Sequence, residues 1–456
     1  MQSLAPGSGE RKSWLARFAL DRPEARAWAL YDWANSAFWT TVVTAVFPIY
    51  FYELAEGMSG ERAQQRFSQA TALALAVSAL IAPLLGTLAD FRALKKRLLG
   101  LFALLGSCAT IALFWALPGD WVYGLSCFAL ANIGAAASMS FYDALLPSVA
   151  REGEMDRLSA SGFAVGYAGG GLCLALNLLW IMKPGWFGLP VGEGLTPEQA
   201  TLPARLALAS VGVWWFLFTL PLLWRVPEPP RLLESDEKAG AAVLRVSLQR
   251  LGETFRELRR YRQALLMLVA ALIYNDGIAT VLRMASLYAK GKELERGVVI
   301  GTILLVQFIG IPCAFLFGAL AGRIGTRRMI TFGLGVYCLI SVLAYFMSQT
   351  WHFVVLGVLV ALVQGGTQAL SRSLFASLVP RHKTGEFFAF FGIGEKFAGV
   401  LGPLLYGLAI QATGNTSNAI LSVIPFFVIG MLLLSRVDVE AGRAVAREAE
   451  AGVREA

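Results

Sequence analysis

The segment GTLADFRALKKR, Gly86–Arg97, joins two long apolar runs, and a second segment, GALAGRIGTRR, Gly318–Arg328, does the same in the other half of the chain. Each opens on glycine, keeps small and apolar residues for one turn, and ends in a basic cluster. Another pair lies in the same register. Leu30-Tyr31-Asp32 in the first apolar run corresponds to Ile273-Tyr274-Asn275-Asp276 in the seventh. Two internal matches in order indicate a repeat, and repeated halves are a common construction of membrane transporters, with the solute site near mid-membrane between them.

Outward from these segments the chain is a series of apolar runs. They cover approximately 27–52, 67–89, 98–117, 121–146, 159–182, 205–226, 264–288, 298–321, 329–347, 352–376, 386–411 and 418–435. Each is long enough, at about 20 residues, to cross a hydrocarbon core of roughly 30 Å. Hydrophobic residues make up 56% of the 456 and charged residues only 15%, and the mean hydropathy is +0.60. That leaves too little polar surface to coat a soluble globule, so the chain is read as an all-α membrane protein with twelve spans.

The sorting of Lys and Arg orients it. Arg11, Lys12, Arg17, Arg22 and Arg26, then Arg92, Lys95, Lys96 and Arg97, then Arg323, Arg327 and Arg328 fall on one side, which the positive-inside bias makes cytoplasmic. The loops near Asp120, Gln349 and Asn415 are nearly free of basic residues; Lys290, Lys292 and Arg296 are the exception. Both termini are expected in the cytoplasm. The net charge of +8 is thereby explained by orientation, and no nucleic-acid partner is expected. Residues 1–26 carry charge where a secretory leader needs an apolar stretch, so no cleavable signal is expected. The five cysteines lie inside apolar runs without metal or redox spacing; no metal or cofactor is expected.

The organisation follows: a cytoplasmic leader 1–26, a six-helix bundle 27–226, a linker 227–263, a second bundle 264–435 and a cytoplasmic tail 436–456. In the linker Leu244, Leu248, Leu251, Phe255 and Leu258 recur at helical spacing, with Arg245, Arg250, Arg256, Arg259 and Arg260 on other faces. This fits either an amphipathic helix on the inner membrane surface or a linker helix with a solvated basic face. Gly162, Gly166 and Gly170 form a small-residue stripe suited to close helix packing; a phosphate-binding loop would need a GxxxxGK sequence that the chain lacks.

The paired loops resemble the signature between the second and third helices of the major facilitator superfamily. That resemblance implies close packing at Gly86 and Gly318, hydrogen bonds accepted by Asp90 at a helix end, and Arg92, Lys96 and Arg97 at the headgroup level. In the second copy Gly322 stands where the aspartate should be, while Arg323, Arg327 and Arg328 remain. YDWANSAF (Tyr31–Phe38), YNDG (Tyr274–Gly277) and GEKFAGVLGP (Gly394–Pro403), in that order, resemble the vacuolar amino-acid effluxer family, an autophagy-related branch with many bacterial members. The likeness runs from Pro23 to Arg436. It implies two six-helix bundles and alternating access, with amino acids as a substrate class.

Charges inside spans are the candidate functional residues, since one at mid-membrane costs roughly 2.5–3.5 kcal/mol on insertion scales and so faces a bundle interior or a watery cavity. They are Asp32, Asp143, Asp276, Arg283, Arg372, Glu395 and Lys396, with Asn35, Asn132, Asn177, Asn275, Gln307, Gln364 and Gln368 as neutral companions. With a helix starting at Asp21-Arg22-Pro23, Asp32 lies about 14 Å in at 1.5 Å per residue, near mid-membrane. A free amino acid carries an ammonium and a carboxylate. Asp32 or Asp276 fits the first and Lys396 the second, with Asn35 and Asn275 beside them; Asp32, Asp276 and Glu395 are the proton-carrying candidates. The competing reading is that these charges only neutralise one another. Asp143 and Arg372 occupy corresponding inner-end positions in the two halves, which suits an inter-bundle gate, an anion-binding arginine, or simple interfacial charges. The partners expected are a small solute, the lipid bilayer and a proton or other coupling ion, in a monomer of a bacterial inner membrane. A sugar, organic-ion or drug transporter is the alternative. An intramembrane enzyme would need an acid-rich metal motif or a histidine-centred site, and a receptor without transport activity is the remaining class.

Overall fold

The computed structural model describes residues 14–230, 232–233, 260–291, 294–397, 401–413, 416–452 and 454–455. Apart from a two-residue antiparallel pair (Leu232–Leu233 with Arg454–Glu455), the regular structure of these residues is helical. The first bundle holds α1 (Pro23–Leu54), α2 (Gly60–Arg92), α3 (Lys95–Ala112, extended by a 3-10 turn to Trp115), α4 (Trp121–Val149), α5 (Met155–Met182) and α6 (Pro197–Arg225). The second holds α7 (Arg262–Gly291), α8 (Arg296–Ile324), α9 (Thr326–Tyr345), α10 (Thr350–Ser377), α11 (Thr384–Phe397 and Leu401–Thr413) and α12 (Asn418–Ser435). A further helix, α13 (Val439–Ala451), follows. Eleven of the described helices are long and apolar enough to span a membrane. The two apolar pieces of α11 flank residues 398–400 and occupy the remaining position.

Local chemistry sets several boundaries. Pro23 sits in the first turn of α1, where its missing N–H costs nothing. Thr196 and Gln199 cap α6 reciprocally. The middle of α1, Phe38–Val46, is π-helical, and Phe47 N–H reaches back five residues to Val42. Pro48, just beyond, cannot donate to the preceding turn, so the wider coil absorbs the mismatch there. Such segments are frequent at functional sites.

The repeat is visible in the packing. In the first bundle α1 packs on α5 and α6, α3 on α4 and α6, and α2 on α4; the second repeats each pairing with helix numbers six higher. Lys96 donates to the Val226 carbonyl just past α6 (3.0 Å), and Arg327 donates to the Val437 carbonyl just past α12 (2.8 Å). Lys96 was expected at the headgroup level. It turns inward because the carbonyls beyond α6 lack a helical partner.

Leu80, Leu101, Leu316, Phe332 and Leu432 point outward, where lipid tails solvate them, while the mostly apolar interior also buries charged side chains such as Asp32, Asp143 and Arg372. The bundles meet along α2–α11 and α5–α8, and more closely at one end through α4–α11 and α5–α10. That end bears the loops Arg92–Lys95 and Ile324–Thr326 and is called the basic face below. Against it, α13 packs over the start of α7 and the end of α10, with Glu450 accepting from Arg381 N–H at 2.8 Å. The helix expected within 227–263 falls mostly on residues outside those described.

Candidate binding cavity

A cavity of about 1280 Å³ separates the bundles. Its mouth is formed by Ile49 and Glu53 at the end of α1, Ile181 and Met182 at the end of α5, and Ala200 at the start of α6, all on the face opposite the basic one. Its floor is Asp32, Asp143 and Arg372. The π-helical part of α1 forms much of one wall through Trp39, Thr40, Thr44, Ala45 and Val46. The facing stripe of α10 is Gln364, Gln368 and Arg372, four residues apart and so stacked one turn above another.

The floor joins the two halves. Arg372 of α10 places Nη1 2.9 Å from Asp143 Oδ1 of α4 and 3.5 Å from Asp32 Oδ2 of α1. Its Nε and Nη2 donate to the hydroxyl and carbonyl of Ser159 on α5, each at 2.9 Å, and the Ser159 hydroxyl donates on to Ala369 O. Asp32 Oδ2 also accepts from the Tyr142 hydroxyl at 2.9 Å. Aromatic faces supply the rest of the cation's surroundings, with Phe163 at 4.6 Å, Trp28 at 5.0 Å and Tyr142 at 5.3 Å. Asp32, Asp143 and Arg372 are 4%, 5% and 2% exposed. Two buried carboxylates thus share one guanidinium, and one negative charge lacks a full counterion when both are ionised. A surplus buried charge is costly, so the floor is suited to receive a proton or a cation.

Space for this cluster comes from α5. A Cβ at Gly162 would stand 2.8 Å from Asp32 Oδ2 and 2.9 Å from the Tyr142 hydroxyl. The glycine stripe therefore lets α1 and α5 approach and also leaves room for the carboxylate.

The other expected residues divide. Asn35 lines the cavity one turn above Asp32, held by a hydrogen bond from Trp39 Nε1 at 2.7 Å, and Asn275 lines it from α7. Asp276, expected as an alternative to Asp32, is not part of the described lining. It lies one residue, about 100° of helix, beyond Asn275 and accepts from Gly402 N–H at 3.0 Å. The repeat aligns Asp32 with Asn275 once Tyr31 and Tyr274 are superposed, so the carboxylates of the two halves face different neighbours. The side chains of Glu395, Lys396 and Arg283 lie outside the described residues.

The basic-face loops contain a second buried cluster. Asp90 accepts from the N–H groups of Gly385 (3.1 Å) and Glu386 (2.9 Å) in the first turn of α11 and pairs with Lys95 Nζ at 2.7 Å. Arg92 and Arg323 are exposed, and Arg327 is half-buried. Gly86 and Gly318 lie at the two inter-bundle crossings, Gly86 against Gly385 and Gly318 against Ala160. Sequence reasoning passed over Tyr142, Ser159, Lys95 and Asp156. Tyr142 precedes Asp143, and Asp156 sits in the first turn of α5, but their partners are more than 90 residues away, a separation no local pattern reveals.

Comparison with known proteins agrees with this architecture. A family model described as "Vacuole effluxer Atg22 like" matches residues 67–447. The MFS-type transporter YxiO of Bacillus subtilis (strain 168) is 34% identical over 427 residues, 93% of this chain and 97% of its own. Autophagy-related protein 22-1 of Aspergillus niger is 28% identical over 306 residues, 63% of this chain; the chain spans about half (48%) of that relative. Among solved structures, the proton:xylose symporter XylE, a major facilitator protein, superposes with a TM-score of 0.65 at 13% identity, covering 93% of this chain and 96% of that one. The Escherichia coli fucose:proton symporter FucP gives 0.66 at 14% identity, covering 94% and 100%.

Proposed function

The chain belongs to the Atg22-like vacuole effluxer family and is an integral membrane transporter of the major facilitator type, not an enzyme; from that premise we propose that it exports a small polar solute of the amino-acid class, coupled to protons. In this reading residues 27–226 and 264–435 rock about the cavity, joined by 227–263. The leader 1–26 and tail 436–456 lie in the cytoplasm of a bacterial inner membrane. The basic face is cytoplasmic by the positive-inside bias, so the structure as described faces outward.

The observation that carries the proposal is the floor, where Asp32 and Asp143 compete for Arg372 at the closed end of a cavity. Asp143 and Arg372 come from different bundles. Their pair is proposed as the inner gate, formed when the cavity opens outward and broken when it opens inward. Asp32, held more weakly by the same guanidinium, is the proposed coupling group. Proton binding there removes the surplus charge and leaves Arg372 wholly to Asp143; a solute ammonium at Asp32 has the same electrostatic effect. Asn35 and Asn275 are proposed to bind the solute, and Glu395 and Lys396 keep their assignment to the same coupling and binding group.

The test is uptake of a mixed radiolabelled amino-acid pool into proteoliposomes with and without a pH gradient, for the native chain and Asp32→Asn. Gradient-dependent flux that falls in the variant supports the proposal. No flux of any amino acid into vesicles holding folded, inserted protein overturns the amino-acid assignment.

A further inference from the structure

Tyrosine hydroxyls inside the bundles differ in what they meet. Those of Tyr50, Tyr142 and Tyr274 donate to Ala116 O, Asp32 Oδ2 and Ser371 Oγ. Those of Tyr31 and Tyr337 are sealed in the packing without a hydrogen-bond partner. Tyr167 of α5 fits neither description. It lines the cavity and is half-buried, and its hydroxyl has no hydrogen-bond partner among the described residues and is not sealed off. The ring is seated by the other bundle. A Cβ at Gly310 of α8 would stand 3.2 Å from Tyr167 Cδ2 and Cε2, and one at Gly365 of α10 would collide with Cε2 and stand 3.2 Å from the hydroxyl oxygen. Two glycines of the second bundle thus form a niche for the ring, which brings the hydroxyl to the level of Gly365, two turns above Arg372 on α10. On α5 the preceding residue, Gly166, abuts α1, its Cβ position 3.4 Å from Asp32 Cβ, so Tyr167 stands beside Asp32 in the cavity wall. A hydroxyl fixed in place and open to the cavity is met by water when the site is empty and is pre-organised for a ligand when it is full.

We infer that Tyr167 binds the solute, its hydroxyl donating to the carboxylate of an amino acid whose ammonium lies at Asp32. This rests on the transport reading above and deepens it by naming the α5 residue that the carboxylate meets. Arg372 already directs its N–H groups at Asp143, Asp32 and both oxygens of Ser159, so close to the floor the carboxylate meets a neutral donor instead of that guanidinium. A carboxylate offers about four lone-pair sites, and Tyr167 therefore acts alongside Lys396 and does not replace it. The ring comes from one bundle and its niche from the other, so the position of the hydroxyl is set by both.

The test is retention of the mixed radiolabelled L-amino-acid pool by the purified full chain, with flux into proteoliposomes measured alongside, for the native chain, Tyr167→Phe and Gly365→Ala. Tyr167→Phe keeps the ring and removes only the hydroxyl. It should weaken retention about tenfold, the size of effect that one hydrogen bond to a charged group produces, with the thermal midpoint in detergent unchanged. Gly365→Ala should weaken retention by displacing the ring, and adding Tyr167→Phe to it should cost little more; fully additive losses would overturn the role of the niche. Competition by isoamylamine, agmatine and phenethylamine, amino acids stripped of their carboxylate, identifies the group that the hydroxyl meets. The native chain should bind these amines more weakly than the acids, and Tyr167→Phe should bind them as the native chain does. Equal losses for acids and amines in Tyr167→Phe overturn the carboxylate assignment. A Tyr167→Phe variant that retains and moves the pool like the native chain makes Tyr167 a packing residue only, and overturns the inference while the transport reading stands. No retention and no flux of the pool by the native chain overturns both.

Discussion

The two places where the bundles cross, α2 on α11 and α5 on α8, descend from the same repeat and hold together differently. At the first, α2 supplies both the glycine and the acid: Gly86 packs on the Gly385 backbone and Asp90 receives the first N–H groups of α11. At the second, α8 supplies glycine at both positions, Gly318 and Gly322, and the acid sits on the opposite helix as Asp156 in the first turn of α5. The first residue of the following helix differs to match. Lys95 opens α3 and pairs with Asp90, whereas Thr326 opens α9 and donates a hydroxyl to Asp156 at 2.5 Å. Asp156 also accepts from the Ser373 hydroxyl, one residue from Arg372. The first crossing is thus a charge pair capping a helix N-terminus, and the second a set of neutral donors around one acid, attached to α10 beside the cavity floor. Where the second motif copy lacks the acid, the facing helix supplies one, and the crossing is held by different chemistry.

That contrast predicts unequal costs. Asp90→Ala leaves the buried Lys95 charge with only the neutral Thr384 hydroxyl and Arg381 carbonyl as described partners, and two N–H groups of α11 unmet; removing one partner of a buried pair typically costs about 3–5 kcal/mol. Asp156→Ala strands only hydroxyls, which can rotate to other acceptors, for about 1–3 kcal/mol. The unfolding midpoint in detergent should fall further for Asp90→Ala, and the distance between nitroxides at Arg92 and Arg381 should broaden in that variant alone. Equal losses would remove the distinction between the crossings.

A smaller and sharper separation comes from the glycines. A Cβ at Gly86 would come within 2.4 Å of the Gly385 carbonyl oxygen, and one at Gly318 within 2.5 Å of the Ala160 Cβ. Both Gly86→Ala and Gly318→Ala should destabilise, by about 1–3 kcal/mol for overpacking. Only the second obstacle is a side chain, so Ala160→Gly should restore thermal stability to Gly318→Ala, and no single side-chain deletion should rescue Gly86→Ala. Failure of the Ala160→Gly rescue would mean that backbone, not side chain, sets both approaches.

The smallest effect concerns how the third helix is tied down. Glu228, beyond α6, accepts from Lys96 N–H through both carboxylate oxygens at 3.0 and 3.1 Å, while Arg327, the counterpart of Lys96, meets only carbonyls. Burial of Glu228 pushes its carboxyl above the usual range, against the opposing backbone N–H groups of Lys96 and Arg97. A raised native value means the folded form holds the proton more tightly, so its contribution to stability is present at low pH and lost as pH rises through that raised value. Thermal midpoints measured across that window should decline slightly with pH in the native chain and not in Glu228→Gln. An unchanged slope in the variant would assign the decline to another group.

Much of this protein was legible in its sequence. Apolar run length gave the spans, because lipid forces each crossing helix to satisfy its backbone internally over a fixed thickness. The paired glycine and arginine loops gave the repeat, and the cost of charge in hydrocarbon pointed to Asp32, Asp143 and Arg372, all of which line the cavity floor. What the sequence left open were choices made by partners distant in the chain. Nothing local distinguishes Asp32, which meets an arginine 340 residues on, from Asp276, which meets the backbone of Gly402; nor Lys95, whose ammonium is buried against the Thr384 hydroxyl and the Arg381 carbonyl of the other half, from exposed Arg92 three residues before it. Composition and periodicity decide that a helix crosses the membrane. Which of its faces meets water, which meets lipid and which meets a counterion is fixed only when twelve helices pack at once, since each buried charge takes the nearest group that can offset its desolvation.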